Sequence, residues 1–389
     1  MNDPRDLSPQ ALSEALRAAR AATLAAAMDL SDEQWLVPYS PWIQPTAWDL
    51  GHVGWFAEFW LLRGPHRLGR DGFQQASTAP LRFGPDEHYD SAAVLHPDRW
   101  RNPLLPREEL QQRLDAQLAD VERCLDAREG CADTRYFAHL TLFHELMHVE
   151  ALAWTRAFCG YPAPCGVEMP TVGADERLEF GPTTAQIGRD GDDCFAFDNE
   201  QPRHEVRLDA FTIDRHPVRN DAFLRFVDDG GYERDELWPP AWRRDPGRRR
   251  LPARWRRAGD GSIEHRHYDR WLPLPLASPV VHVSAIEAEA YCRWAGRRLP
   301  TAPEWEHAAA HGMSWGNSVW EWTASTFAPY TCHFRPGPYV TYSTPWFHHQ
   351  RELRGGAYTT HRLLHDHRYR NFFLPHRTDV FVGFRTAGG

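Results

Sequence analysis

The stretch from Tyr136 to Phe158 contains neither proline nor glycine and keeps its apolar residues at helical spacing, so it predicts one long helix. Inside it lies His144-Glu-Leu-Met-His-Val-Glu150. Residues four apart on a helix share one face, about 6 Å apart along the axis, so His144 and His148 can grip a single ion. Imidazole pairs at this spacing are a recurrent metal arrangement. The chain has 21 His, and a coincidental pair is the competing reading. The literal match to H-E-x-x-H also opens a zinc protease with Glu145 as its base.

The rest of the composition narrows the classes. A chain of 389 residues has room for two domains. A net charge of -9 argues against a nucleic-acid surface. The one basic run, Arg243 to Arg257, lies among Pro, Asp and Gly and reads as a solvated loop. No window has the apolar length of a membrane span, and Met1 to Gln10 lacks the apolar core of a signal peptide. Seven scattered cysteines do not form a disulfide framework, which points to a reducing cytoplasm. The 17 Trp call for well-filled cores or an aromatic-lined cleft.

In chain order, Ser8 can cap a helix running to about Leu30, and Pro38, Pro41 and Pro45 then break the chain. A second helix is expected from Thr46, its cap, to Trp60, with His52 in its apolar half. Residues 64–105 look too polar and irregular for core. Residues 107–127 and 134–159 predict the third and fourth helices, completing an antiparallel bundle of the kind that builds metal sites between facing helices. After Pro162 short β-rich runs alternate with Gly, Pro and Asp, with helical periods only near 284–296 and 302–311. The expected boundary therefore falls at 160–175, giving domains 1–165 and 166–389 in an α+β chain.

The C-terminal half carries ordered phrases: Asp198-Asn-Glu-x-Pro-x-His204, Pro279-Val-Val-His-Val-Ser284, Gly296-Arg-Arg-Leu-Pro-Thr-Ala-Pro-Glu-Trp-Glu306, Gly316-Asn-Ser-Val-Trp-Glu-Trp-Thr323, Leu353-Arg-Gly-Gly356 and Gly383-Phe-Arg385. Taken alone, each reads as structural. Together they resemble the formylglycine-generating-enzyme (sulfatase-modifying-factor) fold, a C-type-lectin-like domain. Its cysteine pair is missing here, since the late cysteines Cys292 and Cys332 stand in other contexts. The N-terminal half resembles a DinB-like four-helix bundle, and His52, His144 and His148 match that family's metal ligands. The fusion of the two resembles the non-heme iron sulfoxide synthases of ergothioneine biosynthesis and their selenoneine-synthase relatives.

That resemblance implies Fe(II) on His52, His144 and His148, with dioxygen, a chalcogen donor and hercynine as substrates. The chalcogen goes to C2 of the hercynine imidazole. The segment Tyr369-Arg-Asn-Phe-Phe-Leu-Pro-His-Arg377 resembles the betaine-binding loop, implying Asn371 for the carboxylate, Phe372 for the ammonium and Arg377 within the same segment. Met147 replaces a Gln of the better-known synthases. Tyr339 and Tyr342 are both candidates for the proton donor, and spacing does not choose between them. On the donor side, Tyr89 to Trp100 has Leu95 and Asp98 where γ-glutamylcysteine-using enzymes carry carboxylate-binding arginines. A neutral selenosugar suits such a pocket better, with Tyr89 and Asp98 contacting its hydroxyls, while a thiol donor stays open. Iron and zinc are not distinguished by the residues, nor is an oligomeric state.

Three other readings stand beside this one. A metzincin needs Gly and His where the chain has Ala151 and Trp154, although a zincin with a downstream Glu168 or Glu176 is allowed by spacing. A DinB-type zinc thiol transferase would not need the aromatic loop. A binding module with a structural metal would usually offer four ligands, often Cys, and no Cys adjoins these His.

Overall fold

Four long helices form the bundle of the first of two units in the computed structural model, which describes residues 4–70, 72–174, 176–191, 194–245 and 247–389. They are α1 (Pro9–Ala27), α2 (Thr46–Ala57), α3 (Arg107–Ala127) and α4 (Ala132–Cys159). Ser8 caps α1 through its hydroxyl, which accepts from Ala11 N. The cap expected at Thr46 is not there: Pro45 holds that position and Thr46 is a buried first-turn residue. Gly160, at φ 72°, ends α4 in the left-handed conformation that glycine adopts without strain. Helix α1 packs on α3 and α4, and α2 on α3 and α4.

The bundle core is partly polar. Arg20 of α1 donates from Nε to Glu145 Oε1 at 2.7 Å and from Nη2 to Gln117 at 3.0 Å, while Thr23 donates to the same Glu145 oxygen at 3.0 Å. This buried cluster ties α1, α3 and α4 together, because breaking one member strands a charge out of water.

Residues 64–105 depart from expectation. Phe83, Tyr89 and Val94 are buried, and two glycines of α2 receive the first two. A Cβ on Gly51 would sit 2.1 Å from the Tyr89 ring, and one on Gly54 2.2 Å from Phe83. Helix α2 also ends earlier than Trp60, in a π-helical turn over Glu58–Leu62. There the buried Glu58 carboxylate accepts from Leu81 N and Arg82 N, both at 2.8 Å.

The units are Met1–Cys165 with Gly191–Ala196 and Pro336–Tyr342, and Gly166–Asp190 with Phe197–Arg335 and Ser343–Gly389. The second unit is built of short strands. Its four-stranded sheet runs in the order Asn371–Phe373, Arg351–Gly355, Trp320–Thr326, Val382–Gly383, with Leu353 opposite Asn371 and Glu352 opposite Phe372. Helices Ala285–Trp294 and Ala302–Ala310 fall where expected, and Asn220–Asp228 adds a helix the sequence reading missed.

The phrases of this half are mostly structural. Trp320 and Trp322 are buried, and Glu321 accepts from Trp305 Nε1 at 2.8 Å and Arg385 Nη2 at 2.6 Å. Arg354 and Arg370 share the buried Glu352 at 2.8 and 2.7 Å. No helix among the described residues is long and apolar enough to cross a membrane.

Candidate metal centre

Helix α2 presents His52 on a turn where every residue is buried. The glycine notch at Gly51 lets Tyr89 close over the helix, and the Tyr89 carbonyl accepts from His52 Nδ1 at 2.7 Å. A carbonyl can only accept, so the proton sits on Nδ1 and Nε2 keeps its lone pair. That Nε2 faces His144 Nε2 at 3.1 Å. His148 completes the group, its Nδ1 3.2 Å from Oδ1 of the buried Asp49. One nitrogen from each of the three lies within 4.8 Å of the other two.

These residues fit a metal ion. Two nitrogens each about 2.1 Å from one ion, at a right angle, stand about 3 Å apart, which matches the His52–His144 separation of 3.1 Å. Without a cation or shared proton between them, facing lone pairs repel. Burial drives the His52 and His144 pKa values well below the usual imidazole value, and His148 adds to this in both. Neutral imidazole is the ligand form. The outer contacts also belong to metal sites, with a carbonyl and a carboxylate fixing two of the three rings. Trp48 stacks on His52 at 4.6 Å and Phe56 on His144 at 3.6 Å, walling the group with aromatic faces.

Glu145 does not join it. Its two oxygens are held by Arg20 and Thr23 in the bundle core, facing away from the role of a solvent-activating base. His52 is the residue that stands beside the pair, and Glu176, in the second unit, pairs instead with Arg215 at 3.0 Å.

Both candidate tyrosines lie in the segment Pro336–Tyr342 that belongs to the first unit. The Tyr339 ring is 6.5 Å from that of His144 and 5.1 Å from Phe56. Desolvation raises the Tyr339 pKa against hydrogen bonds to Ser91 and Thr341, so it stays protonated. Tyr342 directs its hydroxyl to Met147 Sδ at 3.9 Å.

The structure gives three other expected site residues different partners. The Tyr89 hydroxyl accepts from Leu105 N at 3.4 Å and its ring fills the Gly51 notch, so the site receives its carbonyl rather than its phenol. The Asp98 side chain is 42% exposed and pairs with Arg101 at 3.4 Å. Arg377 pairs with Asp379 and lies over the Phe373 ring at 5.2 Å. Asn371 and Phe372 sit on the edge strand of the second unit. Asn371 Oδ1 accepts from Phe372 N at 2.8 Å, and Phe372 stacks on Phe327 at 4.2 Å.

Asp49 and Trp48 escaped the sequence reading. Asp49 lies three residues before His52, on the same helical face, and that spacing was a usable signal.

Known proteins bear on this geometry. Residues 15–153 match the DinB superfamily, and residues 177–318 match the sulfatase-modifying factor enzyme 1-like domain. The hercynine oxygenase of Mycobacterium tuberculosis is 30% identical over 98% of this chain and 99% of its own. That of Mycolicibacterium smegmatis is also 30% identical, over 98% and 99%. The chain belongs to the hercynine oxygenase family. It is accordingly an oxidoreductase with a DinB helical domain followed by a sulfatase-modifying-factor-like α+β domain. Thermomonospora curvata formylglycine-generating enzyme, by contrast, is 32% identical over only 35% of this chain and 50% of its own. Within the hercynine oxygenase family, the protease and binding-module readings fall away.

Proposed function

We propose that this protein is an O2-dependent, non-heme Fe(II) enzyme that forms a carbon–chalcogen bond at C2 of the hercynine imidazole, with a selenosugar as the donor. The observation that carries the reading is full-length likeness to hercynine oxygenases in a chain whose His52, His144 and His148 cluster. Ferrous iron held by these three imidazoles would keep positions open and supply the redox chemistry with dioxygen.

The protein's own groups have distinct duties in this scheme. Tyr89 and Asp49 orient His52 and His148. Tyr339 or Tyr342 supplies the proton, and the raised Tyr339 pKa suits a group that must remain protonated. Asn371 has its oxygen committed to Phe372 N, which leaves its NH2 to donate to the hercynine carboxylate. Phe372, with Trp346 at 6.4 Å, offers aromatic surface to the trimethylammonium. Met147 packs beside the Tyr342 hydroxyl where a Gln would hydrogen-bond.

The donor follows from what is missing. Bidentate arginine is the strong way to hold a carboxylate, and Leu95 and Asp98 stand in those places. Each lost charge-assisted bond costs about 1.5–3 kcal/mol, so γ-glutamylcysteine should bind weaker by several orders of magnitude. The test is anaerobic Fe(II) loading, then hercynine with equal selenosugar and γ-glutamylcysteine, admission of O2, and mass spectrometry. The selenium adduct should dominate. Dominance of the γ-glutamylcysteine adduct overturns the donor, and no hercynine-derived product with any donor overturns the whole reading.

A further inference from the structure

Residues 86–100 reach His52 through the Tyr89 carbonyl, while the side chains of Tyr89, Leu95 and Asp98 are placed elsewhere. Tyr89 fills the α2 notch, Leu95 is 71% exposed, and Asp98 pairs with Arg101. Arg99 goes the other way. Its guanidinium carbon lies over the Trp48 ring, 4.1 Å from the centroid, and Trp48 stacks on His52 at 4.6 Å. Nη2 donates to the Ser91 carbonyl at 3.3 Å, but Nε is buried with no partner. A buried guanidinium donor left unpaired is costly, and a ligand atom would relieve it.

Asp90 stands in the same field. Its Oδ1 accepts from Ala92 N at 2.9 Å, and its charge and that of Arg99 act on each other. Yet no ion pair within 4.0 Å joins them among the described residues. Tyr339, whose ring is 6.5 Å from His144, feels both. A cation and an anion that act on each other without a direct ion pair suit a group that accepts from one and donates to the other, which is what a hydroxyl does.

We propose that Arg99 and Asp90 recognise the hydroxyl groups of a neutral sugar donor, and that this pair determines donor specificity. The inference rests on the donor reading above. It also gives that reading a physical basis, since Arg99 already has two carboxylates near it, Asp49 and Asp90. A donor carboxylate arriving there meets a compensated cation and two like charges, whereas a neutral polyol loses nothing. Arg99 keeps a face on Trp48 and a fixed fork for directional bonds, which a lysine cannot reproduce.

The experiment measures equilibrium binding of 1-thioglucose and of γ-glutamylcysteine to the anaerobic Fe(II)-loaded protein with hercynine present. Arg99→Met keeps packing on Trp48, Arg99→Lys keeps the charge, and Asp90→Asn keeps the shape. Arg99→Met and Asp90→Asn should each weaken 1-thioglucose binding by about tenfold or more, the loss of one charge-assisted bond. Arg99→Lys should not restore it, and iron stoichiometry and hercynine affinity should stay unchanged. Unaltered 1-thioglucose affinity in Arg99→Met, or equal loss of hercynine affinity or iron, overturns the role of Arg99. Wild-type protein that binds γ-glutamylcysteine and not the sugar overturns the donor reading itself, and with it this assignment.

Discussion

At the scale of single residues, the metal group depends on contacts that are not ligands. Asp49 and the Tyr89 carbonyl fix the rings of His148 and His52, and such partners commonly govern metal affinity by about 10–100-fold. His52→Ala, His144→Ala and His148→Ala should each lose iron while far-ultraviolet circular dichroism stays native. Asp49→Asn should keep iron binding but weaken it by about 10–100-fold. Metal analysis after dialysis checks both, and full iron in any His variant removes that residue from the set. The two tyrosines separate by kinetics. Replacing the proton donor by Phe should cut kcat by about 10²–10⁴ with little change in KM, and replacing the other should not. The position of Tyr339 near His144 makes Tyr339→Phe the variant expected to show the loss.

At the scale of elements, α2 is shaped by its glycines as much as by its histidine. Gly51 has no room for a methyl group because the Tyr89 ring is there. Gly51→Ala should therefore push Tyr89 off the helix, cost about 1–3 kcal/mol by overpacking, and lower iron affinity through His52. A variant with lower Tm but unchanged iron affinity would show that Tyr89 does not set the His52 ring. Helix α4 carries a different kind of dependence. Glu145 looks catalytic in the string H-E-x-x-H, but it is the buried partner of Arg20. Glu145→Gln should destabilise by about 3–5 kcal/mol and retain iron and turnover per folded molecule. Lost turnover at full stability would return Glu145 to the chemistry.

At the scale of the whole molecule, buried histidines govern acid stability. Burial lowers His139, His265, His365 and His367 from the ordinary 6.5 to about 4. Each is neutral in the folded protein between those values, while the unfolded chain binds the proton. Stability is therefore full above the unfolded value, falls as pH drops through the window, and the loss is complete below the folded value. The slope approaches about 1.4 kcal/mol per pH unit for each group near the middle of the window. Urea midpoints at pH 5 should lie well below those at pH 7, and His139→Gln should reduce the slope. An unchanged midpoint would mean these imidazoles are not buried as described. Iron loading should raise Tm with metal concentration, because only the folded chain brings the three histidines together.

The division between what the sequence determined and what tertiary structure decided follows the range of the forces. Helices α1, α3 and α4, the His144/His148 pair and the α+β order of the chain were readable, because periodicity and i,i+4 spacing act within one element. His52 as a third candidate ligand was readable only through resemblance, since nothing local to it says that α2 faces α4. Burial of Phe83 and Tyr89 was not readable, because a polar, irregular loop becomes core only where Gly51 and Gly54 leave space on another element. Nor was the fate of the charged residues. Glu145, Asp98 and Arg377 took partners that chain folding brought to them, and Arg99, inconspicuous in the string, was left over Trp48 with its Nε unpaired. Which charge stays unpaired is decided by three-dimensional proximity, and that is where the sequence alone stops.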